Sequence, residues 1–139
     1  MTTTEKIKQA ITNFVKGGDN SDAILLDKVL HMDFRVTNNG FMGTSGVTII
    51  DKQKYLSNIK DGIFGGLPRI MKIESIDHCE TIAMVKLRLE SSENYFVSYN
   101  SLVLDIDNEW KLINNLAVVY TKNKEEFKDN SKTTNHYIS

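Results

Sequence analysis

The chain has 139 residues, the length of one ordinary domain, which buries roughly two-thirds of its unfolded surface without help from a disulfide or a metal. A hydrophobic fraction of 40% beside 25% charged residues, with a single proline, excludes an intrinsically disordered or linker-rich chain. Lys and Arg number 17 against 18 Asp and Glu, a net charge of −1, so no positive field gathers phosphate backbones and nucleic acid is not an expected partner.

Cys79 is the lone cysteine and has no internal disulfide partner. The start, Thr2-Thr3-Thr4-Glu5, leads into an amphipathic helix rather than an apolar signal core. No apolar run approaches the roughly 20 residues that cross a bilayer, so the expectation is a cytoplasmic protein with no membrane partner.

Thr2 to Glu5 fits a capping box, and Ile7, Ala10, Ile11, Phe14 and Val15 then follow helical spacing up to Gly17-Gly18, which reads as the helix end. A second helix is expected from Asp22 to about Leu30, carrying Ala23, Leu25, Leu26 and Val29. The pattern changes after His31-Met32-Asp33. Phe34-Arg35-Val36-Thr37 suits a strand, and Asn38-Asn39-Gly40 reads as a turn into Phe41-Met42, giving a short hairpin. Val47 to Ile50 is a brief β-branched stretch. Asp51 caps a third predicted helix whose Tyr55, Leu56, Ile59 and Ile63 share a face, with Gly62 near its end.

After Gly65-Gly66-Leu67-Pro68 the chain reads as four long strands at about 69–77, 81–91, 94–106 and 109–121. With Asp107-Asn108 as a two-residue loop, Ile106 faces Glu109 and the register sets Asn100 opposite Asn115 and Tyr99 opposite Leu116. Residues 1–122 thus form one domain. Residues 123–139 read as a polar tail, with one more helical turn at 124–128.

Helices first and four consecutive strands last give an α+β class, because no crossover helices separate the strands as a parallel βαβ sheet requires. The expected architecture is three helices packed on a curved antiparallel sheet, enclosing a pocket of small-molecule size. Strand 81–91 carries apolar residues on both faces, Ile82 and Met84 on one and Ala83, Val85, Leu87 and Leu89 on the other. Helices cover one face, and a second copy of the chain is expected on the other, outer face.

The order helix, helix, short hairpin, helix, four strands resembles the cone-shaped nuclear transport factor 2-like (cystatin-like) fold, shared with ketosteroid isomerase, polyketide cyclases and scytalone dehydratase. Within it, Ser21 to Leu25, Leu30 to Phe34, Tyr99-Asn100-Ser101-Leu102-Val103-Leu104 and Glu109-Trp110-Lys111-Leu112-Ile113-Asn114 resemble the putative lumazine-binding family over roughly residues 5–121. Members of that family carry an Asp where this chain has Ser98 and a Lys where it has Asn115. In the register above the two are diagonal neighbours, so a plausible ion pair is replaced by a neutral pair that costs less to bury.

An isomerase or cyclase in such a pocket needs a general base and donors for a developing enolate. Asp77, Glu80, Glu93, Asp107 and Glu109 all fall at predicted turns, where solvation explains them. That leaves Asp33, which also suits a helix-terminating turn, and His31, which also suits a cap or the core, as candidate catalytic residues. Asp77-His78-Cys79-Glu80 strings together four metal-ligand types, but neighbours on a strand or in a turn diverge, so no metal site is expected. Cys79 reads as an ordinary thiol and Trp110 as a core anchor. Gly62, Gly65 and Gly66 match neither phosphate-binding glycine pattern and read as a flexible connection; the resemblance to the nuclear transport factor 2-like fold implies that such a loop borders the pocket and can serve as a lid.

The expected ligand-binding residues are Arg35 on the first strand, Tyr55 on helix three, and Ser98, Asn100 and Asn115 on the long strands, because uncharged amides and hydroxyls on an apolar strand face need a partner, a water or a ligand. Asn100 and Asn115 pairing with each other, across strands or across a dimer, accounts for them equally well. The function expected is that of a homodimeric small-molecule-binding protein that uses no cofactor. Two alternatives stay open: a cofactor-independent isomerase, cyclase or dehydratase working through Asp33 or His31, and a dimeric structural or protein-interaction module.

Overall fold

A computed structural model describes residues 1–41 and 45–122. The chain opens with α1 (Thr3–Asp19), whose Thr2 and Glu5 close a reciprocal capping box, satisfying two amide groups that a helix start leaves without partners. It does not stop at Gly17-Gly18. Both glycines lie inside α1 and are buried, since a Cβ on Gly17 would stand 2.7 Å from Leu26 Cγ. Gly17 admits close packing of α2 and Gly18 leaves room for the Arg69 guanidinium, so the pair does not terminate the helix.

α2 (Ala23–Val29) starts at Asp22, whose side chain accepts from Leu25 N. The chain turns directly into β1 (Leu30–Phe41), so His31 and Asp33 are strand residues and Asn38-Asn39-Gly40 continues the strand. The turn reading is corrected there, because β2 (Val47–Asp51) pairs Val47 with Asn39 and Thr48 with Asn38. Strand pairing overrides the local turn preference. α3 (Lys52–Lys60), capped by Asp51, follows, and then come β3 (Ile70–Cys79), β4 (Ile82–Glu90), β5 (Asn94–Leu104) and β6 (Trp110–Thr121). The expected tail at 123–139, its helical turn and the placement of Met42 lie outside the described residues.

The six strands form one sheet in the order β2-β1-β6-β5-β4-β3. The last four run antiparallel, but β1 lies parallel to β6, with Val36 beside Asn115 and Asn38 beside Ala117, so the sheet is mixed. The expectation of a purely antiparallel sheet is corrected. Three successive hairpins leave β6 with an open edge, and α2 delivers Leu30 beside Leu112, which sets the direction in which β1 closes that edge.

The last hairpin contains two departures that cancel. Asp105 N bonds to Glu109 O and Asn108 adopts φ 67°, so the loop has three residues and Ile106 does not pair with Glu109. A register shift follows, in which Ile113 is the extra residue, and Asn100 then faces Asn115 and Tyr99 faces Leu116 as expected. Another shift between Ile73 and Ser75 bends β3 against β4, and such bulges give a sheet its curl.

Alternation assigns the faces. Ala83, Val85, Leu87 and Leu89 are buried beneath the helices with Leu102, Leu112 and Trp110, while Ile82, Met84, Tyr99 and Leu116 look outward and are exposed. The helices cover one face of the sheet, and the other is open in the single chain.

Candidate functional site

Between the helices and the inner sheet face lies a recess of about 340 Å³. Its roof is aromatic because α1 and α3 aim rings at one another. Phe14 stacks on Tyr55 at 6.2 Å, Phe34 meets Tyr55 edge-on at 5.6 Å, and Phe64 stands 6.0 Å from Tyr55 and 6.2 Å from Phe41. Burial pushes the Tyr55 phenol up to about 12; nearby Arg69 opposes that rise and Asp19 adds to it. Tyr55 therefore keeps its proton at neutral pH, and it makes no hydrogen bond to any described residue.

One wall is the segment from Ile63 to Arg69, held by backbone contact with the end of α1. Gly66 N donates to Gly18 O at 3.0 Å, and Gly65, at φ 76°, comes so close that a Cβ there would stand 2.2 Å from the same oxygen. Arg69 fastens the segment: its Nε donates to Asp19 Oδ1 at 2.6 Å, its backbone N to Asp19 Oδ2 at 3.1 Å, and its guanidinium lies 5.1 Å from the Phe96 ring centre. The one guanidinium bordering the recess is thus already matched by a carboxylate. This connection borders the recess, as the fold resemblance implied.

The sheet supplies a floor of neutral polar groups. Asn38 on β1, Asn115 on β6, and Ser98 and Asn94 on β5 line the recess, each at least nine-tenths buried. Behind them Asn100 is fully buried at 0% exposure. Its Nδ2 donates to Val85 O at 3.4 Å and to Ser98 Oγ at 3.1 Å, and its Oδ1 accepts from Asn115 Nδ2 at 2.6 Å. At the β4–β5 turn, Ser91 Oγ accepts from the backbone of Glu93 and Asn94. Asn94 Oδ1 is buried and has no hydrogen-bond partner among the described residues.

Of the residues singled out from sequence, Tyr55, Ser98 and Asn115 line the recess and Asn100 ties Ser98 to Asn115 from behind. The cross-strand pairing of Asn100 with Asn115 is therefore real, and it leaves Asn115 in the recess as well. Arg35 is exposed, its guanidinium on its neighbour's carbonyl, Phe34 O, at 3.5 Å. His31 and Asp33 do not line the recess; His31 Nδ1 accepts from Asp33 N at 3.0 Å on the strand itself. Among the described residues, no group of three His, Cys, Asp or Glu could hold a metal ion.

Sequence reasoning missed Asn38, Asn94 and Arg69. Asn38 hid in an apparent turn, and Asn94 and Arg69 stood as the first residues of predicted strands, where nothing singled out their side chains. The usable signal for Arg69 was the glycines at 18 and 65, because a Cβ on Gly65 would stand 2.2 Å from Gly18 O and one on Gly18 would stand 2.9 Å from the Arg69 guanidinium.

With the geometry in place, the profile of the family described as "Putative lumazine-binding" matches residues 2–116. The chain belongs to the putative lumazine-binding family. No curated protein matches it by sequence. Solved structures described as nuclear transport factor 2-like are among those it resembles. A nuclear transport factor 2-like protein of unknown function from Silicibacter pomeroyi DSS-3 is 14% identical, with a TM-score of 0.73 over 86% of this chain and 99% of that one. Another from Shewanella baltica OS155 is 16% identical, with 0.71 over 89% and 99%. A ketosteroid isomerase-like protein from Erwinia carotovora atroseptica is 9% identical, with 0.64 over 84% and 94%. At these identities the likeness establishes the fold alone. No helix among the described residues is long and apolar enough to cross a membrane.

Proposed function

We propose that this member of the putative lumazine-binding family binds a small, neutral, partly aromatic molecule in the recess between helices and sheet. The observation that carries the reading is the lining itself: aromatic rings above, and below them buried amides and a hydroxyl with hydrogen-bonding capacity left over. A permanently apolar void would be cheaper to build from Val and Leu. Asn115 and Ser98 stand at positions where polarity costs stability unless something meets it. A base-dependent reaction has less support, because the carboxylate bordering the recess is Glu93, an exposed residue at the β4–β5 turn.

The test is a thermal-shift screen of heteroaromatic compounds, lumazine among them, followed by amide-resolved NMR of any hit. A raised midpoint, with shifts centred on Ser98, Asn115 and Tyr55 and abolished by filling the recess with Ala117→Phe, is the expected result. Shifts confined to the outer sheet face would overturn the reading.

Two copies pairing through that outer face is the companion proposal, supported by Met84 at 46%, Tyr99 at 45% and Leu116 at 44% exposure in its centre. Light scattering at micromolar concentration is expected to give the mass of a dimer, and that of a monomer for Tyr99→Asp. A wild-type monomer would refute the pairing.

A further inference from the structure

The recess floor contains a hydrogen-bond relay whose direction can be worked out from one group that cannot change role. The carbonyl of Val85 only accepts, so the side of the Asn100 amide that faces it must be Nδ2. That assignment propagates. The other proton of Asn100 Nδ2 goes to Ser98 Oγ, which is thereby an acceptor toward Asn100 and must send its own hydroxyl proton elsewhere. Asn100 Oδ1 then faces Asn115, which has to present Nδ2 at 2.6 Å, so its Oδ1 is turned away from Asn100. Neither the Ser98 hydroxyl proton nor Asn115 Oδ1 meets a partner among the described residues, and both side chains border the recess.

We propose that Asn100 is the residue that fixes the polarity of the recess floor, leaving Ser98 as donor and Asn115 as acceptor, and that the ligand is a neutral planar heterocycle with a ring lactam. The lactam carbonyl accepts from Ser98 Oγ and its adjacent N–H donates to Asn115 Oδ1. Ser98 and Asn115 are diagonal neighbours on adjacent strands, since Ser98 pairs with Ala117 and Asn100 with Asn115, so both can reach one ring. An anionic ligand fits badly. A carboxylate would set an acceptor against Asn115 Oδ1, and the Arg69 charge that could offset it is held by Asp19. The aromatic roof of Phe14, Tyr55 and Phe64 suits the flat faces of such a ring. Asn100 touches no ligand in this scheme and acts by positioning the two residues that do.

The proposal rests on the recess being the binding site, and the probes separate the two ideas. Isothermal titration would use 2-quinolone, N-methyl-2-quinolone, quinoline-2-carboxylate and naphthalene. In the wild type, 2-quinolone is expected to bind at least about tenfold more tightly than its N-methyl derivative, because a blocked donor leaves Asn115 Oδ1 unpaired, and the carboxylate is expected to bind weakest. In Asn100→Leu the ratio between 2-quinolone and N-methyl-2-quinolone should fall towards one while naphthalene binding changes by less than about twofold. A merely structural role for Asn100 would weaken all four compounds together and keep the ratio. Should Asn100→Leu fail to fold, Ser98→Ala serves, removing the donor and narrowing the gap between 2-quinolone and naphthalene by about tenfold. If all four compounds bind the wild type alike, the polarity proposal is wrong and the recess reading stands. If none binds, both fall.

Discussion

Replacing Gly65 by Ala probes the contact that builds the recess wall, and Gly62→Ala is its control. The two glycines have almost the same backbone, φ 76° and 73°, so each substitution carries the same left-handed penalty of about 1 kcal/mol. They differ in surroundings. A Cβ on Gly62 meets nothing within 4 Å, whereas one on Gly65 would stand 2.2 Å from the Gly18 carbonyl oxygen and 3.2 Å from Ile59 Cδ1. That oxygen is backbone inside α1 and cannot swing aside, so the 63–69 segment has to lift by about 1 Å to reach ordinary contact, stretching the Gly66–Gly18 bond and pulling on the Arg69–Asp19 pair. Losing a hydrogen bond and loosening a half-buried ion pair adds roughly 2 kcal/mol to the backbone penalty. Gly65→Ala is therefore expected to cost about 3 kcal/mol and Gly62→Ala about 1 kcal/mol in urea unfolding, with equal m-values. In thermal melts the gap corresponds to about 5–10 °C for a chain of this size. Equal losses in the two variants would refute the seating of this segment on α1, and with it the recess wall.

Two further predictions concern titration. The raised Tyr55 pKa, about 12 against an ordinary 10.0, stabilises the folded state fully below pH 10, and that contribution, roughly 3 kcal/mol, is lost as pH rises from 10 through 12. Tyr55→Phe should flatten this alkaline loss, and a wild-type-like decline in the variant would show that another group causes it. Asp105 and Asp107 are held below the usual carboxylate range, first by hydrogen bonds from Lys111, which itself is raised by them. Carbon-detected NMR titration of Lys111→Met should return both carboxyls upward, and unchanged midpoints would remove Lys111 as the cause.

Local structure was legible wherever one physical rule acted alone. The capping box and the apolar spacing of Ile7, Ile11 and Phe14 marked α1, and Asp51 marked the start of α3. Strand alternation separated Val85 and Leu87 from Met84 correctly. It went astray where a local preference competed with pairing at a distance. Asn38-Asn39-Gly40 has the composition of a turn, yet β2 pairs with Asn38 and Asn39 and β6 with Asn38, so the strand runs on, and the departure is confined to an irregularity before Phe41 where Gly40 takes φ 79°. Gly17-Gly18 has the composition of a helix end, yet the space it leaves is taken by Leu26 and Arg69.

The candidate site divided in the same way. Ser98, Asn100 and Asn115 were accessible to reasoning because hairpin register puts them on one face, and an unpaired polar side chain on such a face needs an explanation. Arg35, His31 and Asp33 were accessible only as residue types, and type says nothing about which side of β1 they leave.

Spacing of apolar residues and capping chemistry were enough by themselves to place three helices and the antiparallel ribbon and to set the polar trio on a shared face, because all of these follow from neighbours within a few residues or across one hairpin. The parallel docking of β1 on β6, the seating of Gly65 on Gly18 and the direction of the Asn100 relay were decided by tertiary structure. Each depends on groups brought together from distant parts of the chain, and one of them, the relay, is oriented by a backbone carbonyl that no residue letter reveals.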